Sequence, residues 1–114
     1  MDKLPWEDLE SIKVAGQLYQ IVDRLAKRRR KQFPATAYNL RRAASGIGGK
    51  LARSSVPVGG TARQLRDRGK ALKRARYVRV TLKRMGAIVR KPDADITAAL
   101  EIVERVIALI EIGR

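Results

Sequence analysis

Proline and glycine break this chain at three places, and each of the four segments between the breaks carries apolar residues at helical spacing. The breaks are Phe33-Pro34, Pro57-Val58-Gly59-Gly60 and Pro92, and both residue types interrupt helices. There is no internal repeat, and no run of alternating apolar and polar residues is long enough to predict a strand. The pattern predicts an all-α fold, an up-down-up-down antiparallel four-helix bundle formed by a single domain of residues 1–114.

The first three predicted helices each have a stripe of apolar residues at steps of three and four, which is typical of a buried helix face. The first helix runs from about Pro5 to about Lys31. The second runs from about Ala35 to about Ser54, and its stripe comprises Ala37, Leu40, Ala44, Ile47 and Leu51. The third runs from about Thr61 to about Val89, and its stripe comprises Leu65, Leu72, Ala75, Val78, Leu82, Met85 and Val89.

Three glycines, Gly46, Gly48 and Gly49, lie inside the second predicted helix. Each of them weakens a helix by roughly 1 kcal/mol relative to alanine. They either mark a kink or let another helix approach closely, and the sequence leaves both interpretations open.

The fourth predicted helix opens at Asp93 or Asp95, both suitable N-caps after Pro92, and is apolar around most of its circumference. One face carries Ile96, Ala99, Leu100, Val103, Ile107 and Ile110. A second apolar set lies elsewhere on the cylinder and comprises Ile102, Val106, Leu109 and Ile112. A helix that is apolar on most sides is buried on most sides, so this second set is predicted to form the interface of a homo-oligomer.

The basic residues are concentrated in the middle of the chain. Between Arg24 and Lys91 lie 22 of the 26 lysines and arginines and one acid, Asp67, which gives this region a net charge of +21. The two flanks are each at −3, and the whole chain is at +15. Concentrated like charge repels itself in a compact state, and a polyanionic partner that releases counterions on binding is the simplest reason to keep it. The pattern therefore predicts nucleic-acid binding.

The predicted nucleic-acid-binding residues come from the first three helices: Arg28, Arg29, Arg30, Lys31, Arg41, Arg42, Arg53, Arg63, Arg66, Lys70, Lys73, Arg74, Arg76, Arg79, Lys83 and Arg84. Arginine outnumbers lysine here, which favours bidentate contacts with phosphates. Tyr38 and Tyr77 are candidates for base stacking or for completing the core. No helix carries mixed base-reading side chains, which favours structured RNA or an RNA/DNA hybrid duplex as the ligand. The alternative is a solvated surface, or one that binds acidic proteins.

No enzyme, metal or cofactor site is predicted. The chain has no cysteine and no histidine, which excludes a cysteine nucleophile and removes the commonest general base and the commonest neutral metal ligand. Gly46-Ile47-Gly48-Gly49-Lys50 lacks the spacing and the preceding strand of a phosphate-binding loop. We therefore expect no small-molecule substrate. There is no long apolar run and no basic-then-apolar N-terminus, so we expect a cytoplasmic protein with no membrane partner.

Several short motifs, taken in order along the chain, resemble a group of small bacterial four-helix proteins. The motifs are Leu18-Tyr19, Phe33-Pro34, Leu40-Arg41-Arg42-Ala43-Ala44, Ala87-Ile88-Val89-Arg90-Lys91-Pro92 and Ile110-Glu111-Ile112-Gly113-Arg114. The group comprises proteins encoded within ribosomal RNA intervening sequences and the accessory variability determinant (Avd) proteins of diversity-generating retroelements. Ser45-Gly46-Ile47-Gly48-Gly49 departs from the Ser-Ile-Pro pattern common in one branch.

The resemblance implies a ring-shaped homopentamer of four-helix bundles with a basic surface. It also implies a non-catalytic accessory protein that binds template RNA and a reverse transcriptase and so supports mutagenic cDNA synthesis. One alternative is a structural protein associated with ribosomal RNA that has no enzyme partner. Another is a scaffold for acidic proteins or anionic membrane surfaces.

Overall fold

The computed structural model describes residues 6–54 and 60–112, with side chains described at 10–54 and 62–112. It contains four helices: α1 (Trp6–Arg29), α2 (Pro34–Ser54), α3 (Gly60–Ile88) and α4 (Ala94–Ile112). No strand occurs within the described ranges, so the all-α prediction is confirmed there. The predicted helix start at Pro5 and the break at Pro57-Val58-Gly59 lie outside the described residues.

Each helix packs against the helices that precede and follow it, and α4 packs back onto α1. Between the diagonal helices, α1 with α3 and α2 with α4, no described residues have Cα atoms within 8 Å of each other. The molecule measures 50 × 21 × 18 Å. In so narrow a molecule every helix has one face toward solvent and two flanks against its neighbours.

The starts of α2 and α4 are set by the residues that precede them. The carbonyl of Phe33 accepts a hydrogen bond from the N–H of Ala37 at 2.8 Å, so α2 begins at Pro34, which suits a first turn. The Asp93 carboxylate accepts hydrogen bonds from the N–H groups of Asp95 (2.9 Å) and Ile96 (3.4 Å). Asp93 is therefore the N-cap of α4, and Asp95 lies in the first turn.

The apolar stripes of α2 and α3 line the core nearly as predicted. All five residues of the α2 stripe are buried, and so are Leu72, Ala75, Val78, Leu82 and Met85 of α3. Leu65 is 56% exposed, and its assignment to the stripe was wrong. A step of seven residues falls 20° short of two full turns. Leu72 is already near the edge of the buried face, and this offset places Leu65 beyond it.

The predicted subunit interface on α4 requires a correction at Val106. This side chain is fully buried in the core of its own chain, so it cannot face another subunit. Ile102 and Leu109 pack partly buried against the same core, and only Ile112 is mostly exposed, at 73%. The physical reason is that α4 packs against both α1 and α3. These two neighbours cover flanks that the sequence assigned to a partner subunit.

The α2 glycines do not interrupt the helix, which is continuous from Pro34 to Ser54. At Gly46 a Cβ atom would lie 2.7 Å from Nη1, 2.8 Å from Cζ and 2.9 Å from Nε of Arg74. Nothing lies within 4 Å of a Cβ at Gly48 or Gly49. Gly46 therefore permits a close approach, by the guanidinium of a side chain rather than by a whole helix.

The glycine contacts lead to a stability prediction. Gly49→Ala should raise the free energy of unfolding by about 1 kcal/mol, because alanine favours the helix and meets no neighbour. Gly46→Ala should raise it by less, since the Arg74 guanidinium must leave its place. Urea unfolding of both variants measures the difference. Equal gains would mean that Arg74 moves at no cost in free energy.

Asp93 also joins α1 to α4. Its carboxylate accepts hydrogen bonds from Arg28 (2.8 Å) and Arg29 (2.8 Å) at the end of α1. Burial by itself raises the pKa of this carboxyl. The hydrogen bonds from the two arginines and from the N–H groups of α4 outweigh burial and lower the pKa to about 2. Asp93 therefore stays ionised and holds the two helix ends together.

Candidate nucleic-acid interface

All the acidic residues of the four helices except Asp67 lie on α1 or α4. Helices α2 and α3 together contain fourteen basic residues and a single acid, Asp67, a net charge of +13. Helices α1 and α4 together contain six basic residues and eight acids, a net charge of −2. Since α2 and α3 are neighbours, their combined surface is strongly cationic. The carboxylates of α1 and α4 can reach this surface only from its edges.

The carboxylates pair with six of the sixteen predicted binding residues. At the junction of α1 and α4, Arg28 and Arg29 pair with Asp93, and Arg28 also reaches Asp95 at 3.0 Å. The other four pairs are Arg41 with Asp23 (2.7 Å), Arg63 with Asp67 (4.0 Å), Arg76 with Glu111 (3.4 Å) and Arg79 with Glu104 (3.2 Å). The positive charge of these six residues is largely compensated within the molecule.

The other ten predicted binding residues form no ion pair with any described residue. They are Arg30, Lys31, Arg42, Arg53, Arg66, Lys70, Lys73, Arg74, Lys83 and Arg84. All ten are exposed except Arg74, which is half-buried. Most of them lie on α2 or α3. The sixteen residues are therefore divided into a compensated group, mainly at the edges that α1 and α4 reach, and an uncompensated group.

Three members of the uncompensated group, Lys70, Lys73 and Arg74, line a shallow groove between α2 and α3 together with Lys50, and we call it the α2–α3 groove. Its volume is about 470 Å³, and its lining residues are Ala43, Lys50, Lys70, Lys73, Arg74 and Tyr77. The α3 residues stand at positions i, i+3, i+4 and i+7, which share one helix face. Four cations thus converge on a single concave surface.

The pKa of Lys50 reflects the electrostatic environment of this surface. Its pKa is lowered, first by the positive charge of Arg53, then by partial burial, and then by Lys70 and Arg74. The negative charge of Asp67 opposes the shift without cancelling it. A like-charge neighbourhood disfavours the protonated amine. The groove therefore has a positive potential that the protein's own carboxylates do not neutralise.

The side chain of Arg74 packs closely against α2. Its guanidinium lies against the α2 backbone at Gly46, where a side chain would occupy the same space. The planar guanidinium has several donors in a fixed geometry that matches phosphate oxygens. The absence of a side chain at Gly46 thus leaves room for the guanidinium of Arg74, one of the residues that line the groove.

Both candidate stacking tyrosines are exposed. Tyr38 is 64% exposed on α2, and Tyr77 is 44% exposed at the α2–α3 groove. The alternative that they complete the core is therefore wrong. An exposed aromatic ring beside unpaired cations is suited to stacking on bases, and Tyr77 has such cations around it.

The sequence did not reveal two features, one in α3 and one between α2 and α3. Arg68 is buried, and its Nη2 donates a hydrogen bond to the carbonyl of Ile110 at 3.1 Å, so one basic residue of the cationic region serves the contact between α3 and α4. From the sequence, Gly46 was interpreted only as a kink in the helix or as a site where another helix approaches. The residue that uses its space, Arg74, is 28 positions away, and no local signal joins the two.

Other kinds of site are not evident in the described part of the chain. No three acidic residues there lie close enough together to hold a metal ion. Within the same residues, none of the helices has the length and apolar character needed to cross a membrane.

Comparisons of the chain with protein-family models, with curated proteins and with solved structures found no match.

Proposed function

We propose that this protein is a non-catalytic nucleic-acid-binding protein that holds a phosphate backbone against α2 and α3. The observation that supports the proposal best is that Lys50, Lys70, Lys73 and Arg74 line one groove and form no ion pair with a described residue. The pKa of Lys50 is lowered, first by the neighbouring charge of Arg53, then by partial burial, and then by Lys70 and Arg74. A merely solvated surface would intersperse its signs, as the α1–α4 side does. Ten predicted binding residues that form no ion pair with a described residue, on a chain of +15, are typical of proteins that bind polyanions.

The proposal includes an up-down-up-down topology with neighbouring helices antiparallel. Two ion pairs between the neighbouring helices α1 and α4 support it, because each joins a residue in the later part of one helix to a residue near the start of the other. Arg24 near the end of α1 contacts Asp95 near the start of α4 at 2.9 Å, and Arg105 near the end of α4 pairs with Glu10 near the start of α1.

The proposal extends to an accessory role beside a reverse transcriptase, supported by the motifs that resemble Avd proteins. On this view the chemistry belongs to the polymerase, and this chain binds its RNA. Affinity purification of the native protein, with identification of bound polypeptides and sequencing of bound nucleic acid, tests the partner. Recovery of ribosomal RNA without a polymerase would support the structural alternative instead.

Assembly into a homopentamer is also proposed, on the same resemblance. Of the four residues first assigned to the interface, Ile102, Leu109 and Ile112 retain some exposure. Sedimentation measures the oligomeric state, and a monomer at micromolar concentration would contradict this part of the proposal.

The salt dependence of binding tests the central proposal. The affinity for RNA should fall steeply as salt rises, because each phosphate neutralised on a duplex adds about −0.9 to the slope of log K against log [salt] and about −0.7 on a single strand. With about six contacts the slope on duplex would be about −5. Fluorescence anisotropy over a range of salt concentrations gives the slope. A nearly flat response would exclude phosphate binding.

A further inference from the structure

Two grooves flank α2, and each presents an exposed tyrosine. The α2–α3 groove carries Tyr77. The α1–α2 groove, of about 380 Å³, carries Tyr38, and its full lining is Ala26, Lys27, Arg30, Pro34, Ala37, Tyr38 and Arg41. The two grooves have similar size, similar lining chemistry and one aromatic ring each. The two grooves can therefore be compared directly, with one tyrosine substituted in each.

The grooves differ in whether their cations are compensated. In the α1–α2 groove, Asp23 pairs with both Lys27 (3.0 Å) and Arg41 (2.7 Å), which leaves Arg30 as the one lining cation without a described partner. In the α2–α3 groove none of the four cations pairs with a described residue. Only the α2–α3 groove thus combines an exposed ring with a strong, unneutralised positive potential.

The position of Tyr77 bears on the kind of nucleic acid that fits. It is one helical turn from Lys73 and Arg74 on the same face of α3, so its ring and the phosphate-binding groups open into one concave surface. In a duplex the faces of the bases are stacked inside, and only phosphates and groove edges meet a protein. In a single strand the base faces are free to stack on aromatic rings while a cationic groove follows the backbone.

We propose that the α2–α3 groove binds single-stranded nucleic acid, with phosphates on Lys50, Lys70, Lys73 and Arg74 and a base stacked on Tyr77. This inference rests on the proposed function and narrows it. It also departs from the structured or hybrid duplex that the sequence favoured, because the exposed Tyr77 supplies a stacking surface that a duplex does not use.

The test compares Tyr77→Leu with Tyr38→Leu, each on an unstructured oligouridylate and on a blunt RNA duplex. Tyr77→Leu should weaken oligouridylate binding about tenfold, since stacking on one aromatic ring contributes on that order. Tyr77→Phe keeps the ring and should bind within about twofold of the parent. Duplex affinity should be unchanged in all variants. Tyr38→Leu should bind the oligouridylate as the parent does, because its groove is compensated. Circular dichroism confirms that each variant folds.

Three results would overturn the inference. They are equal losses from Tyr77→Leu and Tyr38→Leu, an equal loss on duplex and oligouridylate, or a loss in Tyr77→Phe as large as in Tyr77→Leu. In each of these cases salt-dependent binding would survive, and with it the proposed function. If neither ligand bound the parent protein at low salt, the proposed function itself would fail.

Discussion

Replacing Lys70 and Lys73 together by glutamine is expected to weaken nucleic-acid binding about tenfold and to reduce the magnitude of the salt slope by about two. Both lysines line the α2–α3 groove and neither forms an ion pair with a described residue. Their charge is therefore available to phosphate without first breaking an internal contact. Fluorescence anisotropy at several salt concentrations measures both quantities.

The matched control is Arg76→Gln with Arg79→Gln, on the same helix and with the same loss of two charges. These arginines already pair with Glu111 and Glu104 on α4. Their replacement should change the affinity by less than about twofold, because their charge is compensated before binding. If both double variants weakened binding equally, affinity would follow net charge alone and the groove would have no special role.

Asp93→Ala is expected to have the largest effect on stability. The pKa of Asp93, lowered to about 2 from 3.8, corresponds to a stabilisation of roughly 2 kcal/mol at neutral pH. Loss of the N-cap of α4 should add about 1 kcal/mol. Asp93→Asn separates the two contributions, because asparagine can still cap the helix but has no charge for Arg28 and Arg29. Urea unfolding at neutral pH should rank the parent above Asp93→Asn, and Asp93→Asn above Asp93→Ala.

The pH dependence supplies the control for that ranking. A carboxyl whose pKa is lowered by folding stabilises the protein above its unfolded pKa, and this stabilisation is lost as pH falls through the folded pKa. The parent should therefore lose stability between about pH 3.8 and about pH 2, and Asp93→Asn should lose less over that window. Glu111→Gln, which removes an exposed pair with Arg76, should stay within about 0.5 kcal/mol of the parent. An Asp93→Asn variant as stable as the parent would contradict the assigned role.

The fold was largely predictable because the apolar residues of each buried helix face recur at helical spacing in the sequence. The α2 stripe is the clearest case, since all five of its residues lie in the core. Val106 could not be placed in this way. On a helix that is apolar on most sides, periodicity does not distinguish a side chain that faces a neighbouring helix from one that faces another subunit. Only the packing of α4 between α1 and α3 decides it.

The sequence predicted which helices carry the cations of the candidate interface. It did not predict which of these cations form one surface. The sequence placed cations on three helices, yet it could not show which of them the acids reach. Arg28 and Asp93 are 65 residues apart, so their pairing depends on the tertiary structure. Arg76 and Lys73 are both basic, exposed residues of α3, and only the position of Glu111 on α4 distinguishes them. The compensated and uncompensated groups therefore appear only when the helices are assembled.

The unequal division of charge between α2–α3 and α1–α4 also bears on how the protein would approach the proposed polyanionic ligand. It gives the molecule a dipole moment across its narrow dimension. The field of a polyanion exerts a torque on such a dipole and turns the groove toward the ligand before the two surfaces touch. Productive collisions should then be more frequent than random tumbling allows, while the nearly neutral back of the molecule stays clear of the polyanion.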